Sequence, residues 1–197
     1  MKKILYKLSR ALRIDSAFAN LLRDIKYRWQ DLGQVNQVLL VLGTSVVLGL
    51  STTAYTIAAR HYEVREIKCL ALNVYHEARG EPENGQYAVA TVTMNRVQSN
   101  KYPDDVCRVV YQRAWSKKYK RYISAFSWTD YDHVSEIIPK ESSAWRNAYT
   151  VAEKVYRENQ RSEKTKDALF YHANYVNPAW ASEKTKIAKI GHHIFYR

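Results

Sequence analysis

Cysteine is scarce in this chain: Cys69 and Cys107 are the only two in 197 residues. That excludes a scaffold held together by several disulfides. Neither lies in a CxxC pair, which leaves no zinc or thioredoxin motif. The two residues can be free buried thiols or, in an oxidising compartment, a single disulfide. Repeats and low-complexity linkers are missing. Acidic residues are few, 19 against 31 Lys and Arg, for a net charge of +12. That balance favours polyanions such as nucleic acid, acidic lipid or anionic wall polymer, without choosing among them. Charge disappears altogether between residues 34 and 59.

What is present is enough for one domain and an appendage, since 46% of residues are hydrophobic. Sixteen residues are Tyr, a type that lines ligand grooves and also fills half-buried packing positions. The chain divides near residue 60. Over residues 1–33, Leu5, Leu8, Leu12, Leu21, Leu22, Ile25 and Trp29 recur at roughly helical spacing, with eight cations against three acids. This is a basic amphipathic segment, suited to an anionic membrane surface or to another protein. Residues 35–59 are long enough to cross a bilayer. They also carry Thr44, Ser45, Ser51, Thr52, Thr53 and Thr56, so the span is weakly hydrophobic. A buried core helix is the alternative. The apolar part is too long for a cleaved secretory signal. The preceding cations put the N-terminus in the cytoplasm and residues 60–197 outside the inner membrane.

In residues 60–197, Ile67, Leu70, Ala71, Val74, Tyr75 and Ala78 share one face of a helix over 64–78. Gly80 is expected to cap its C-terminus and Pro82 to prevent continuation. Asn84 is expected to cap a second helix running to about residue 99. Pro103, Asp104 and Asp105 open a third. Residues 117–121 read as a loop or ribbon, 142–159 as a helix, and 168–172, 187–190 and 193–196 as short strands.

Glu77 closes an apolar helix just before a glycine. Apolar surroundings and the negative helix end both disfavour a charged carboxylate, so its pKa is expected to rise, as a general acid requires. The competing reading is a solvated glutamate at a helix end. Tyr171 and His172, on a short strand, can line a groove or simply pack. His76, His192 and His193 suggest a zinc site, but His76-Glu77 lacks the second histidine of HExxH. Asn95 and Arg96 read as structural supports. Lys117, Lys118, Lys120 and Arg121 alternate with Tyr119 and Tyr122 as a solvated basic loop or a polyanion site.

A wider pattern surrounds Glu77. From Cys69 the chain reads CLALNVYHEARGEPENGQYAVATVTMNRV. Later come Tyr102-Pro103, Phe126-Ser127-Trp128, Tyr171-His172-Ala173, Asn177-Pro178-Ala179-Trp180 and the tail Ile190-Gly191-His192-His193-Ile194-Phe195-Tyr196. Over about residues 67–197 this resembles the SleB/CwlJ-type cell wall hydrolases, known from spore-cortex lytic enzymes, bacteriophages and proteobacteria. The resemblance implies a mainly helical, lysozyme-related α+β domain with a small antiparallel sheet, here preceded by a single transmembrane helix. It implies peptidoglycan as the partner, Glu77 as the catalytic acid, and Phe126 and Ser127 at the substrate groove, with Tyr171 and His172 as further candidates. Ala125 stands where the family has glutamine.

The expected activity is cleavage of the glycan strand as a lytic transglycosylase, in cell lysis or wall remodelling. The alternatives are a muramoyl-alanine amidase and a non-catalytic membrane-anchored binder of peptidoglycan. No cofactor, metal or nucleic acid is expected, and the oligomeric state is open. The Cys69–Cys107 disulfide stays a candidate. The expected organisation is a cytoplasmic segment 1–33, a membrane helix 34–59 and a catalytic domain 60–197.

Overall fold

The computed structural model describes residues 18–117, 119–131 and 142–197. Leu5, Leu8 and Leu12 of the expected amphipathic segment, and Lys118 of the basic loop, lie outside these. The chain forms two compact units, residues 1–58 and 59–197.

In the first unit, residues 18–31 form helix α1. The Gln37 side-chain amide donates to the carbonyls of Trp29 and Leu32, so two acceptors at the end of α1 are satisfied. Helix α2 starts at Gln34 and runs to Ala78. Its apolar stretch is solvent-exposed throughout, Val35 and Leu50 among the most open. The six hydroxyl side chains are not free polar groups. Thr44 and Ser45 donate to the Val41 carbonyl, Ser51 to Val47, Thr52 and Thr53 to Gly49, and Thr56 to Thr53. Each hydroxyl is paired within its own helix, which masks the polarity that weakens the span on paper. Among the described residues, α2 is the one helix long and apolar enough to cross a membrane.

Sequence reading separates a span ending at 59 from a helix beginning at 64, but the structure has one helix of 45 residues. Neither Gly nor Pro occurs from Leu50 to Arg79, so nothing breaks it. The charges after residue 59 do not mark a helix end.

The second unit packs the end of α2 against α3 (Glu83–Val97), α4 (Val106–Val110) and α5 (Ser143–Arg157). Ile67, Leu70, Ala71 and Val74 of α2 meet Ala90 of α3, Val106 and Val110 of α4, and Ala148, Val151, Ala152 and Val155 of α5. These α5 positions recur at helical spacing, and the Ser142 hydroxyl caps the helix by accepting from Trp145 N. Buried Asn73 ties three elements together. Its amide donates to Thr93 Oγ1 at 3.0 Å, and its oxygen accepts from Trp128 Nε1 at 3.2 Å. Glu66, fully buried, caps α4 by accepting from Val106 N at 2.6 Å. The Cys69 and Cys107 sulfurs are bonded, joining α2 to the start of α4.

Two small antiparallel sheets complete the unit. Strands β1 (Arg113–Ser116) and β2 (Arg121–Ser124) form a hairpin. Strands β3 (Phe170–Ala173), β4 (Lys186–Ile190) and β5 (His193–Tyr196) form a sheet in the order β3-β5-β4. Phe195 and Ile190 bring this sheet onto Ala78 of α2 and Ala88, Val89 and Val92 of α3. The result is a mainly helical α+β unit.

Three local expectations shift. Gly191 is the one glycine with positive φ among the described residues, so Gly80 does not close α2 by a left-handed cap. The N-cap of α3 is Pro82, not Asn84. Helix α4 begins at Val106, so Pro103 precedes it instead of standing in its first turn; Asp105 is the N-cap, and its carboxylate accepts from Arg108 N at 2.7 Å.

Candidate active site

Glu77 is the penultimate residue of α2 and is half-buried where that helix meets the β3-β5-β4 sheet. Tyr171, on β3, donates its hydroxyl to Glu77 Oε2 at 3.2 Å. Burial raises the Glu77 pKa above the usual carboxylate value; the Tyr171 hydrogen bond and the positive charge of Arg96 act against that rise without cancelling it. Burial, with the Glu77 charge added, holds the Tyr171 hydroxyl well above its ordinary value, so it remains a donor. Among the described residues no carboxylate acts on Glu77; its charged neighbour is Arg96.

Asn95 and Arg96, at the end of α3, build this arrangement. The Asn95 amide donates to the carbonyls of Thr165 and Ala168 at 2.9 and 2.8 Å. Arg96 Nε donates to the Leu169 carbonyl at 2.9 Å. Together they fasten the segment entering β3 and so set where Tyr171 stands. The Arg96 guanidinium also lies over the rings of Tyr102 and Phe126. It then reaches a cavity of about 380 Å³ lined by Tyr102, Gln112, Trp115, Ile123 and Ala125. Arg96 thus links the Glu77 carboxyl to an open, largely apolar hollow.

The structure sorts the expected groove residues. Phe126 is buried, 4% exposed, beneath Arg96 and so supports the cavity rather than facing solvent. Ser127 is exposed at the start of the 3-10 turn Ser127–Asp130. His172 is not brought to Glu77. Adjacent strand residues point to opposite faces, so Tyr171 faces Glu77 while His172 stacks on Tyr196 beside Trp180. Its Nδ1 lies 2.9 Å from the Ala173 carbonyl and Nε2 lies 2.9 Å from Tyr196 Oη. A carbonyl only accepts, so Nδ1 donates to Ala173, and in the neutral ring Nε2 then accepts from the Tyr196 hydroxyl.

The histidines weighed for zinc are also placed. His76 stacks on Trp128 at 4.4 Å, and burial lowers its pKa. His192 and His193 flank Glu81. Among the described residues no three His, Cys, Asp or Glu side chains group as metal ligands. Glu81 itself holds the β4-β5 turn. Oε2 accepts from His192 N at 2.9 Å and Oε1 lies 3.0 Å from His192 Nδ1. Gly191, at φ +55°, leaves room for this carboxylate: a Cβ there would stand 1.8 Å from Glu81 Oε2. Sequence reading missed the Glu81 clasp and the Arg96 cavity. The boxes Glu77-Ala78-Arg79-Gly80-Glu81 and Ile190-Gly191-His192 contained the residues of the clasp but not their pairing.

Comparison with known proteins identifies the family. The chain is 28% identical over 136 residues to the spore cortex-lytic enzyme of Oceanobacillus iheyensis, covering 68% of this chain and 42% of that one. It is 31% identical over 135 residues to the Bacillus cereus enzyme of the same description, covering 68% and 45%. It therefore spans less than half the length of these relatives. The solved catalytic domain of the germination-specific lytic transglycosylase SleB from Bacillus anthracis superposes with a TM-score of 0.51 at 30% identity, covering 67% of this chain and 93% of that domain. The Cell Wall Hydrolase family model matches residues 80–196, beginning just past Glu77, and the chain belongs to that family.

Proposed function

We propose that this chain is a peptidoglycan-cleaving enzyme, a lytic transglycosylase with Glu77 as its single acid and base. The observation that carries the reading is a half-buried carboxyl of raised pKa, held by Tyr171, with no second carboxylate acting on it among the described residues. The family and the similar catalytic domain supply the substrate class. The helix-end acid beside a small sheet supports the lysozyme-related placement.

Protonated Glu77 gives its proton to the glycosidic oxygen, and the bond from that oxygen to C1 of the muramoyl sugar breaks. The resulting carboxylate takes the proton from the 6-hydroxyl of the same sugar. Oxygen 6 then bonds to C1 and closes an anhydro ring. The proton taken restores Glu77, and no water is consumed. Two-carboxylate glycosidases instead divide these tasks between two groups. Tyr171 orients the carboxyl, and Ser127 and the Arg96 cavity receive the neighbouring sugars.

The remaining parts follow. Residues 34–59 cross the inner membrane, residues 1–33 stay in the cytoplasm and residues 60–197 work on the wall side. The exposed apolar face, the paired hydroxyls and the preceding cations support this topology. The deciding experiment digests purified peptidoglycan with the full chain in detergent, wild type beside Glu77→Gln, and reads the products by mass. Anhydromuramoyl ends from wild type alone are expected. Reducing muramic ends instead mean hydrolysis, and released stem peptides mean an amidase.

A further inference from the structure

Beyond the side that lines the Arg96 cavity, the β1-β2 hairpin carries a second face to which neither the fold nor the reaction assigns a role. Trp115 and Tyr122 sit directly opposite each other across the strands, with ring centroids 5.3 Å apart. They are 56% and 57% exposed, and Tyr131 nearby is 64% exposed. An aromatic pair placed only for stability would be expected to be covered, because its gain comes from leaving water. Arg113, Lys120 and Arg121 surround it, all exposed, and none is ion-paired among the described residues. These six side chains line a hollow of about 640 Å³. Its one acid, Asp130, accepts from the Ser124 hydroxyl at 2.6 Å.

This hollow adjoins the cavity that contains Arg96. Trp115 and Ile123 line both, so the hairpin is the wall between them. One side is largely apolar and leads to the Glu77 carboxyl. The other is cationic and aromatic. A linear neutral glycan needs only the first. A glycan bearing acidic branches needs both, with the branch crossing the wall.

We propose that the hairpin's cationic face binds the acidic stem peptide of peptidoglycan, pairing Arg113, Lys120 and Arg121 with its carboxylates while the glycan lies along the Arg96 cavity. The inference rests on the substrate reading above and adds a peptide subsite to it. Arginine suits this role because its fork meets a carboxylate through two parallel bonds.

The test uses the full chain in detergent, carrying Glu77→Gln so that it binds without cutting. Co-sedimentation is measured on intact sacculi and on glycan whose stem peptides an amidase has removed. Intact wall is expected to bind about tenfold more tightly, since one charged contact contributes about that factor. The preference should shrink as salt rises. Arg113→Glu with Arg121→Glu should abolish the preference and leave binding to bare glycan unchanged, while the paired Lys variants restore part of it.

Equal loss on both polymers, or an unchanged preference, overturns the proposal. So does a soluble polyphosphate that displaces the protein from bare glycan through the same arginines, because the site would then serve phosphate. Wild-type digestion runs in parallel. Glycan cleavage without a peptide preference removes this subsite and leaves the reaction standing. A preference without cleavage removes the reaction and leaves the subsite.

Discussion

At the scale of the residue, the burial of Glu77 costs folding stability once its carboxyl ionises. Its pKa is raised in the fold by burial. A carboxyl with a raised folded pKa adds stability that is complete below its unfolded pKa and lost as pH rises through the folded one. Glu77→Gln is therefore expected to melt above wild type at neutral pH, with the gap closing in acid; equal melting at both pH values would count against the buried acid. The same substitution should cut activity by about 10²–10⁴-fold. Tyr171→Phe removes the hydrogen bond that favours the ionised carboxylate, so the alkaline limb of the pH–rate profile should move up. Its maximal rate should fall about tenfold, the worth of one such bond. An unmoved limb would assign Tyr171 to packing alone. Glu77 stood out in sequence through the family boxes around it, since its helix end and apolar face alone left the solvated reading open. Tyr171 was quoted as a candidate without a partner, since the two residues stand 94 positions apart.

Among the elements, the β4-β5 turn is the sharpest test of the structure. Gly191→Ala forces a side chain into a left-handed position and against Glu81. The expected cost is about 2–4 kcal/mol, combining backbone strain with loss of the bonds to His192, and denaturant unfolding would measure it. In Glu81→Ala the obstruction is gone, so the double variant should lose less than the sum of the two singles. The Cys69–Cys107 bridge closes 38 residues between α2 and α4. Its reduction should lower stability by about 4 kcal/mol on a chain-entropy estimate, as read from unfolding with and without reductant. Helix α5 was readable from apolar spacing, α3 from its expected span, and the strands of the β3-β5-β4 sheet to within two residues, whereas the β1-β2 hairpin was read only as a loop or ribbon over residues 117–121. The continuity of α2 was not, because a change from apolar to charged sequence resembles a boundary although no residue there stops a helix.

For the whole molecule, the proposed topology makes a direct prediction. The full chain should remain in the membrane pellet after high-salt and carbonate washes and leave it only in detergent. Protease added to spheroplasts should digest residues 60–197 and spare an N-terminal tag. Release by salt would mean that α1 and the apolar part of α2 lie on a surface rather than crossing it. Family membership bears on the second unit alone, since the matched region is residues 80–196. The first unit rests on its composition and on the self-satisfied hydroxyls of α2.

By itself the sequence determined the division near residue 60, the apolar span, the helical faces of the second unit and the family boxes around Glu77. All of these are patterns of neighbours, set by helical and strand periodicity and by runs of residues a few positions long. Tertiary structure decided which boxes meet: Tyr171 with Glu77, Glu81 with the Gly191 turn 111 residues away, and Arg96 beneath a cavity walled by a hairpin. It also separated Tyr171 from His172, adjacent in sequence but on opposite faces of one strand. Local periodicity places a side chain on a face, and only the closure of distant segments supplies what that face meets.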